Sequence, residues 1–229
     1  MEVKVLGNGE LGSVISQLLK VEALGANQIT SIKNCIIFNC TPAEALPEIT
    51  KHQPDFIINC CKGVHQGKLP TDYLYNNNRL VSIGGYYKAR HLANAKVPIY
   101  VGGNLQEEIL DIIKKIFSIE GTSNNSRNIE LAGILKNIYL LDYSLKFEDI
   151  LKEISDHNLL DEQALRAFID DYKKCIEYKS RNYLFGKIFH QTNKVDHLSE
   201  LGLVEGYNSL DHITLDTPLV NKIKKMYKK

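Results

Sequence analysis

Three glycines near the start of the chain have the spacing of a dinucleotide-binding turn. Gly7, Gly9 and Gly12 form the pattern G-x-G-x-x-G between an apolar run and a helical pattern. The first glycine permits a tight turn, the second lets a diphosphate approach the backbone, and the third lets the helix pack on the strand. A purely structural turn is the alternative. The residues predicted to bind a dinucleotide here are Gly7, Asn8, Gly9, Glu10, Leu11 and Gly12.

The acidic residue that normally accompanies this turn is missing. Dinucleotide sites place an acid about 20 residues after the glycines, where it binds a ribose. No acidic residue lies between Glu22 and Glu44. The interval is also too short for a full strand at residues 28–32 and a crossover to Cys35, because a parallel crossover takes about 10–12 residues. The sequence therefore predicts that the adenosine half of the usual pocket is absent.

Two lysines have surroundings suited to proton transfer or anion binding. Lys62 follows the apolar run FIINCC, and ligands bind beyond the carboxyl ends of strands in open α/β sheets. Its alternative role is that of an exposed lysine at the start of a loop. Lys136 interrupts an apolar helical segment, ELAGILKNIYLL, where burial would lower a lysine pKa towards useful values. A lysine that extends its ammonium to water is the alternative there.

A third candidate group is the tripeptide Ser180-Arg181-Asn182. A guanidinium beside an amide at the start of a helix can bind an anion. The same tripeptide is also an ordinary helix N-cap, so it is not specific by itself.

These residues depend on two regions of different character. Non-alternating apolar runs, typical of a parallel sheet covered on both faces, predict strands at residues 3–6, 35–40, 56–61, 80–83 and 99–101. Helices are expected at 11–21, 43–50 and 107–117. Helical patterns dominate from residue 130, including 161–178 and a last helix that starts at Pro218 with Thr217 as its cap. The polar stretch 121–128 predicts a linker.

The expected architecture is thus α/β followed by all-α. An abbreviated Rossmann-like parallel sheet domain spans residues 1–122, and a helical domain of substrate and catalytic residues spans 129–229. Ligands preferentially bind in the cleft between two such regions.

Composition narrows the choice of partners. The chain has 28 basic and 27 acidic side chains, a balance that argues against a nucleic-acid binder. No apolar run approaches the ~18–20 residues of a membrane span. The five cysteines form no C-x-x-C pair, which indicates reduced thiols in a cytoplasmic protein, and the histidines show no metal-binding spacing.

Taken in order, these motifs resemble those of the bacterial-type NAD(P)-dependent glycerol-3-phosphate dehydrogenases. The matching segments are GNGELG, CKG, ELAGILKN, Asp170 with Cys175 and SRNYLFG, VEGY, and TPLVNKIKKMY. They are collinear over nearly the whole chain. The resemblance implies a Rossmann domain, a helical domain of the 6-phosphogluconate dehydrogenase kind, and NAD or NADP as cofactor. It also implies interconversion of dihydroxyacetone phosphate and sn-glycerol 3-phosphate.

The resemblance assigns catalytic roles to three residues. Lys136 matches the lysine that exchanges a proton with the C2 oxygen during hydride transfer. Lys62 matches a lysine that contacts both substrate and cofactor. Asp170 matches the aspartate that holds the substrate hydroxyl and the catalytic lysine.

The resemblance also implies binding residues. Ser180, Arg181 and Asn182 match the clamp for the substrate phosphate, and Arg181 also reaches the cofactor. Leu203 and Glu205 match positions that line the nicotinamide end. The substrate-binding residues implied are Lys62, Asn137, Ser180, Arg181 and Asn182.

The sequence departs from the family at the cofactor end. The second and third strands of the family and their helix are absent, and Arg90 stands where the motif Gly-Pro-x-x-Ala-x-Glu has its glutamate. The loop between the catalytic lysine and the aspartate is pruned, with only 34 positions from Lys136 to Asp170. Two alternatives therefore stay open: a non-redox protein that binds a phosphorylated ligand, and a dehydrogenase of another phosphorylated substrate. The sequence does not fix the oligomeric state, although pruned helical domains often bury exposed faces in a homodimer.

Overall fold

A seven-stranded sheet organises the first half of the chain. The computed structural model describes residues 1–25, 28–29, 32–52, 54–74, 79–195 and 205–227. The strands are β1 (Glu2–Leu6), β2 (Ala23–Leu24), β3 (Cys35–Asn39), β4 (Phe56–Asn59), β5 (Leu80–Gly84), β6 (Pro98–Gly103) and β7 (Ser118–Ser123). Their order across the sheet is β2-β1-β3-β4-β5-β6-β7. Neighbouring strands are parallel except for β6, which runs antiparallel to β5.

Helices cover the sheet and then form the second half of the chain. The helices of the first half are α1 (Glu10–Leu19), α2 (Leu46–Ile49), α3 (Pro70–Leu74), α4 (Ala89–Leu92) and α5 (Glu107–Ile116). Short 3₁₀ turns flank α2. The helices of the second half are α6 (Ser126–Tyr139), α7 (Phe147–Asp156), α8 (Glu162–Glu177), α9 (Arg181–Thr192), α10 (Glu205–Leu210) and α11 (Pro218–Tyr227).

The predicted fold class, a Rossmann-like sheet followed by helices, is confirmed. Every residue of β3, β4 and β5 is buried. Burial on both faces explains why their sequences are continuously apolar rather than alternating. All five cysteines are free thiols. No helix in the described part of the chain is long and apolar enough to cross a membrane.

The shortened region after α1 has a definite form. β2 is only two residues long and pairs in parallel with β1, and the chain then crosses to the other side of β1 to form β3. The described residues between β2 and β3 add no further strand. Within residues 28–32, positions 30 and 31 lie outside the described part. The strand order therefore reverses at β1, which is where open α/β sheets bind ligands.

The prediction of a linker at residues 121–128 is wrong. Its first residues complete β7, and α6 begins at Ser126. β7 alternates between exposed and partly buried residues at the sheet edge, so polar side chains suit it. Asn125 caps α6 because its side-chain oxygen accepts a hydrogen bond from the amide of Asn128. The polar stretch is therefore an edge strand and a helix cap.

Thr217 is the N-cap residue of the last helix, as predicted, because its backbone oxygen accepts a hydrogen bond from the amide of Asn221 at 2.8 Å. The helix begins at Pro218 as expected, and the hydroxyl of Thr217 donates to Oε1 of Glu153 at 2.7 Å. The amide of Leu219 donates to Oε2 of the same carboxylate at 2.6 Å. A buried carboxylate from α7 thus binds the start of α11, which ties the two helices together.

Helix α6 packs directly on the sheet. A Cβ atom at Gly102 in β6 would lie 2.6 Å from a side-chain carbon of Ile129, and one at Gly84 in β5 would lie 2.7 Å from another. Only glycine permits this approach. The core of the helical half therefore includes Tyr86 and Tyr100 from the sheet half.

Candidate active site

A cavity of about 780 Å³ lies between the sheet and the helical half. It brings together residues that are far apart in the sequence. The predicted site residues that line it are Glu10, Leu11, Lys62, Lys136, Asn137, Ser180, Arg181 and Asn182. A larger cavity of about 1110 Å³ near the starts of α6 and α8 contains none of them. The chemistry predicted from the sequence therefore belongs to the smaller cavity.

The glycine turn has the geometry expected of a diphosphate site. Gly7 has φ +105°, and a Cβ there would lie 2.9 Å from the carbonyl group of Cys40. A Cβ at Gly12 would overlap the carbonyl oxygen of Gly7, so the helix packs tightly on the turn. Gly9 is the N-cap residue of α1 and provides no side-chain cap, and a Cβ there would meet no atom within 4 Å. Open space at a helix N-terminus suits an anion.

Lys136 forms a buried ion pair with Asp171. Its Nζ lies 3.1 Å from Oδ2 of Asp171, and the two side chains are 5% and 3% exposed. The thiol of Cys175 donates to Oδ1 of the same carboxylate at 3.6 Å. Burial raises the pKa of this thiol, so it stays protonated and acts as a donor. The carboxylate therefore holds the lysine ammonium in one position within the cavity wall.

The aspartate beside the lysine is Asp171 and not the expected Asp170. Asp170 accepts a hydrogen bond at 2.6 Å from the hydroxyl of Tyr100 in β6. Consecutive residues of a helix point about 100° apart, so only one of the two carboxylates can face Lys136. Spacing to the tripeptide at 180–182 favoured Asp170, whereas the packing of α8 against α6 selects Asp171.

Lys62 is held at the carboxyl edge of the sheet. Its Nζ donates to the backbone oxygen of Gly85 at 3.2 Å and lies 4.0 Å from the ring centroid of Tyr87. Both partners follow β5, the strand next to β4. The ammonium is therefore placed beside the ligand edge by a carbonyl and an aromatic face.

Two predicted substrate residues bond to each other. Nδ2 of Asn182 donates to Oδ1 of Asn137 at 2.9 Å, and Oδ1 of Asn182 accepts from the amide of Gly206 at 2.8 Å. Both asparagines are buried. Gly206 belongs to the VEGY segment, so this network joins three of the matching motifs. Leu203 and the side chain of Glu205 lie outside the described part of the structure.

The start of α9 presents Arg181 to the cavity. Ser180 caps this helix, since its hydroxyl accepts from the amide of Tyr183 at 3.4 Å. Arg181 is exposed and has no ion pair or hydrogen bond with any residue in the described ranges. Among the described residues, the basic side chains that line the cavity are Lys62, Lys88, Arg90, Lys136 and Arg181, against one carboxylate, that of Glu10. The lining is cationic and suits an anionic ligand.

Sequence reasoning missed a buried carboxylate at the other end of α6. Oε2 of Glu130 accepts hydrogen bonds from the amide and hydroxyl of Thr71 at 2.9 and 2.6 Å. Oε1 accepts from Ser82 at 2.5 Å and from Asn59 at 3.1 Å. Burial raises the pKa of Glu130 to about 7, although the four donated hydrogen bonds oppose the shift. This carboxylate fixes α6 to β4 and β5.

A sequence signal for this polar layer existed. The runs CIIFNC and FIINCC both place Asn-Cys after the apolar residues. In the sheet, Asn39 lies opposite Asn59, and Nδ2 of Asn39 donates to Oδ1 of Asn59 at 3.0 Å. Asn39 and Asn59 therefore form a hydrogen-bonded row that continues to Glu130, and the repeated Asn-Cys pair was its signal in the sequence.

Comparison with solved structures identifies the fold. Glycerol-3-phosphate dehydrogenase from Coxiella burnetii superposes with a TM-score of 0.75 at 14% identity, over 99% of this chain and 94% of that chain. The enzyme from Saccharomyces cerevisiae gives 0.72 at 14% identity, over 100% and 96%. The enzyme from Plasmodium falciparum gives 0.68 at 15% identity, over 99% and 91%.

The chain has the fold of the glycerol-3-phosphate dehydrogenases. No protein-family model and no curated protein matches the sequence. At 14–15% identity, these structures establish the shared fold. In this fold, the cavity lies between the Rossmann-like sheet and the helical half, as the sequence predicted.

Because Lys136 pairs with Asp171, substitutions at Asp170 and Asp171 should destabilise the protein by different amounts. Asp171→Asn leaves a buried ammonium without its counter-charge and should lower the free energy of unfolding by about 3–5 kcal/mol. Asp170→Asn weakens one hydrogen bond with Tyr100 and should cost about 1 kcal/mol. Urea unfolding at pH 7, followed by circular dichroism, measures both. Equal losses would contradict the pairing of Lys136 with Asp171.

The raised pKa of Glu130 predicts how stability changes with pH. Because the folded protein holds this proton more tightly than the unfolded chain, the stabilisation is complete below pH 4.5, the ordinary pKa. It is lost as the pH rises through about 7. Titration of Glu130 alone should lower the free energy of unfolding by about 3 kcal/mol between pH 4.5 and about pH 7.

Glu130→Gln removes the titrating group and keeps a side chain of similar shape. Unfolding free energies from urea titrations between about pH 5 and pH 8 should therefore fall less steeply for the variant than for the wild type. Parallel pH profiles for the two proteins would show that Glu130 titrates normally.

Proposed function

We propose that this protein is a shortened, divergent member of the glycerol-3-phosphate dehydrogenase family. Its activity would be the NAD(P)-dependent interconversion of dihydroxyacetone phosphate and sn-glycerol 3-phosphate. The observation that carries the proposal is the meeting of Lys62, Lys136 and Arg181 in one cavity that also contains the start of α1. Stability alone gives no reason to gather these cations. The collinear motifs and the shared fold support the same function.

The residues present fit one end of a nicotinamide dinucleotide. The open backbone at Gly9 and the first turn of α1 would receive its diphosphate. A bound nicotinamide would supply the hydride. At the adenosine end, β2 is two residues long and is followed by Gly25, where the ribose-binding acid is expected. Binding is therefore expected to rest on the diphosphate and nicotinamide portions.

Lys136 would carry the proton chemistry. During reduction of the ketone, its ammonium donates a proton to the C2 oxygen, and during oxidation of the alcohol the amine takes that proton back. Asp171 orients the nitrogen through the 3.1 Å ion pair. Lys62, held by Gly85 and Tyr87, would neutralise charge on the substrate and orient its oxygen.

The substrate phosphate would bind at the start of α9. Arg181 offers a planar fork of donors that matches phosphate oxygens in a bidentate manner. Ser180 and the pair Asn137–Asn182 fix the backbone that carries this arginine, and we include all three in the proposed substrate-binding set.

The second candidate function is non-redox binding of a phosphorylated ligand. The two-residue β2 and the missing acid favour it, because they remove binding energy for adenosine. Titration with NADH separates the two candidates, since the non-redox protein would gain no thermal protection from it. A dehydrogenase of another phosphorylated substrate would be protected by NADH but would not reduce dihydroxyacetone phosphate.

The short β2 predicts unusual use of nicotinamide donors. Steady-state reduction of dihydroxyacetone phosphate should discriminate poorly between NADH and NADPH. Reduced nicotinamide mononucleotide should reach a kcat/KM within about tenfold of NADH, which corresponds to about 1.4 kcal/mol of transition-state stabilisation. A preference above about a thousandfold for one dinucleotide would contradict this account and require an adenosine pocket.

If Arg181 binds the substrate phosphate through two parallel hydrogen bonds, a lysine at this position should not replace it, although lysine keeps the positive charge. Arg181→Lys should lower kcat/KM for dihydroxyacetone phosphate by about tenfold or more, because a point charge does not reproduce the bidentate fork. Arg166→Lys on the exposed face of α8 is the matched control and should have no effect. If the wild type reduced unphosphorylated dihydroxyacetone equally well, the clamp would be disproved.

A further inference from the structure

The cavity has more positive charge than the substrate phosphate requires. Lys136 is matched by Asp171, and Arg181 and Lys62 are the cations proposed to face the substrate. Lys88 and Arg90 line the same cavity. The chain as a whole is nearly neutral, at +1, so this concentration of cations is local.

Arg90 lines the cavity together with the start of α1, the helix that follows the glycine turn. It is the second residue of α4, and α4 packs against α1. Glu10, Leu11 and Val14 of α1 line the cavity together with Arg90. The guanidinium of Arg90 makes no ion pair or hydrogen bond within the described ranges, although Glu10 lines the same cavity. Its charge is therefore available to a ligand.

Arg90 places an exposed guanidinium at this position, where the motif that the chain resembles has a glutamate. A carboxylate there would repel a neighbouring diphosphate, whereas a guanidinium attracts it and donates hydrogen bonds to it. Lys88, two residues earlier, adds a second cation on the same short segment.

This difference from the motif coincides with the loss of the adenosine contacts. For a bound dinucleotide, this chain provides a β2 of only two residues and no acidic side chain at the expected position to bind the ribose. A hydrogen bond that involves a charged donor is stronger than one between neutral groups, so a contact from a guanidinium can replace a lost ribose contact. The two departures are thus complementary.

We propose that Arg90 binds the diphosphate of the dinucleotide and moves cofactor recognition from the adenosine to the diphosphate. This inference rests on the proposed function, because it assumes a dinucleotide in the cavity. The residue acts on the cofactor and not on the substrate phosphate, which Arg181 holds.

Fluorescence titration of the full chain with NADH tests the inference without relying on turnover. Arg90→Ala should raise the Kd for NADH about tenfold, and Arg90→Glu, which restores the family carboxylate, about a hundredfold. The Kd for reduced nicotinamide mononucleotide, which lacks the second phosphate, should change less. Inorganic pyrophosphate should displace NADH from the wild type, and adenosine should not. Arg166→Ala removes the same charge outside the cavity and should leave every value unchanged.

Several results would overturn the inference. An unchanged Kd for NADH in Arg90→Ala would do so, as would displacement by adenosine but not by pyrophosphate. A rise in the KM for dihydroxyacetone phosphate without a change for NADH would assign Arg90 to the substrate instead. If the wild type bound no NADH, the proposed function would fail, and direct calorimetry with pyrophosphate would then decide whether Arg90 binds this anion. If the wild type bound neither NADH nor pyrophosphate, both the proposed function and the role of Arg90 would be rejected.

Discussion

The ion pair between Lys136 and Asp171 is the interaction on which the cleft depends. Taking two charges out of water is costly, and attraction in a poorly polar interior repays that cost only when the geometry is good. Here the two atoms lie 3.1 Å apart, and Cys175 donates to the remaining carboxylate oxygen. Helices α6 and α8 must therefore pack side by side at this point, and their separation sets the position of the lysine in the cavity.

The other end of α6 fixes this arrangement to the sheet. Glu130 lies six residues before Lys136, roughly 9 Å along the helix axis. Its carboxylate receives hydrogen bonds from the last residue of β4, from the middle of β5 and from the start of α3. One helix thus carries a buried carboxyl group that binds the sheet and an ammonium group that lines the cavity. The distance between the sheet edge and the lysine is then determined by a rigid element, which is how a site keeps its geometry.

The sequence predicted those features that depend on local pattern. Buried strands such as residues 35–39 are continuously apolar, and the glycine turn has a fixed spacing, so both were found. The choice between Asp170 and Asp171 depends on which face of α8 meets α6, and spacing along the chain does not determine a face. The polar strand β7 resembled a linker because an edge strand needs few apolar side chains. Glu130 was missed because its partners come from three separate segments.

Turnover of the Lys136→Ala variant tests most directly whether Lys136 transfers the proton to the substrate. Reduction of dihydroxyacetone phosphate, followed by loss of NADH absorbance, should be about 10²–10⁴ times slower in the variant than in the wild type. Circular dichroism should show the same helix content in both proteins. A variant within about threefold of the wild type would contradict the account and remove Lys136 from the reaction.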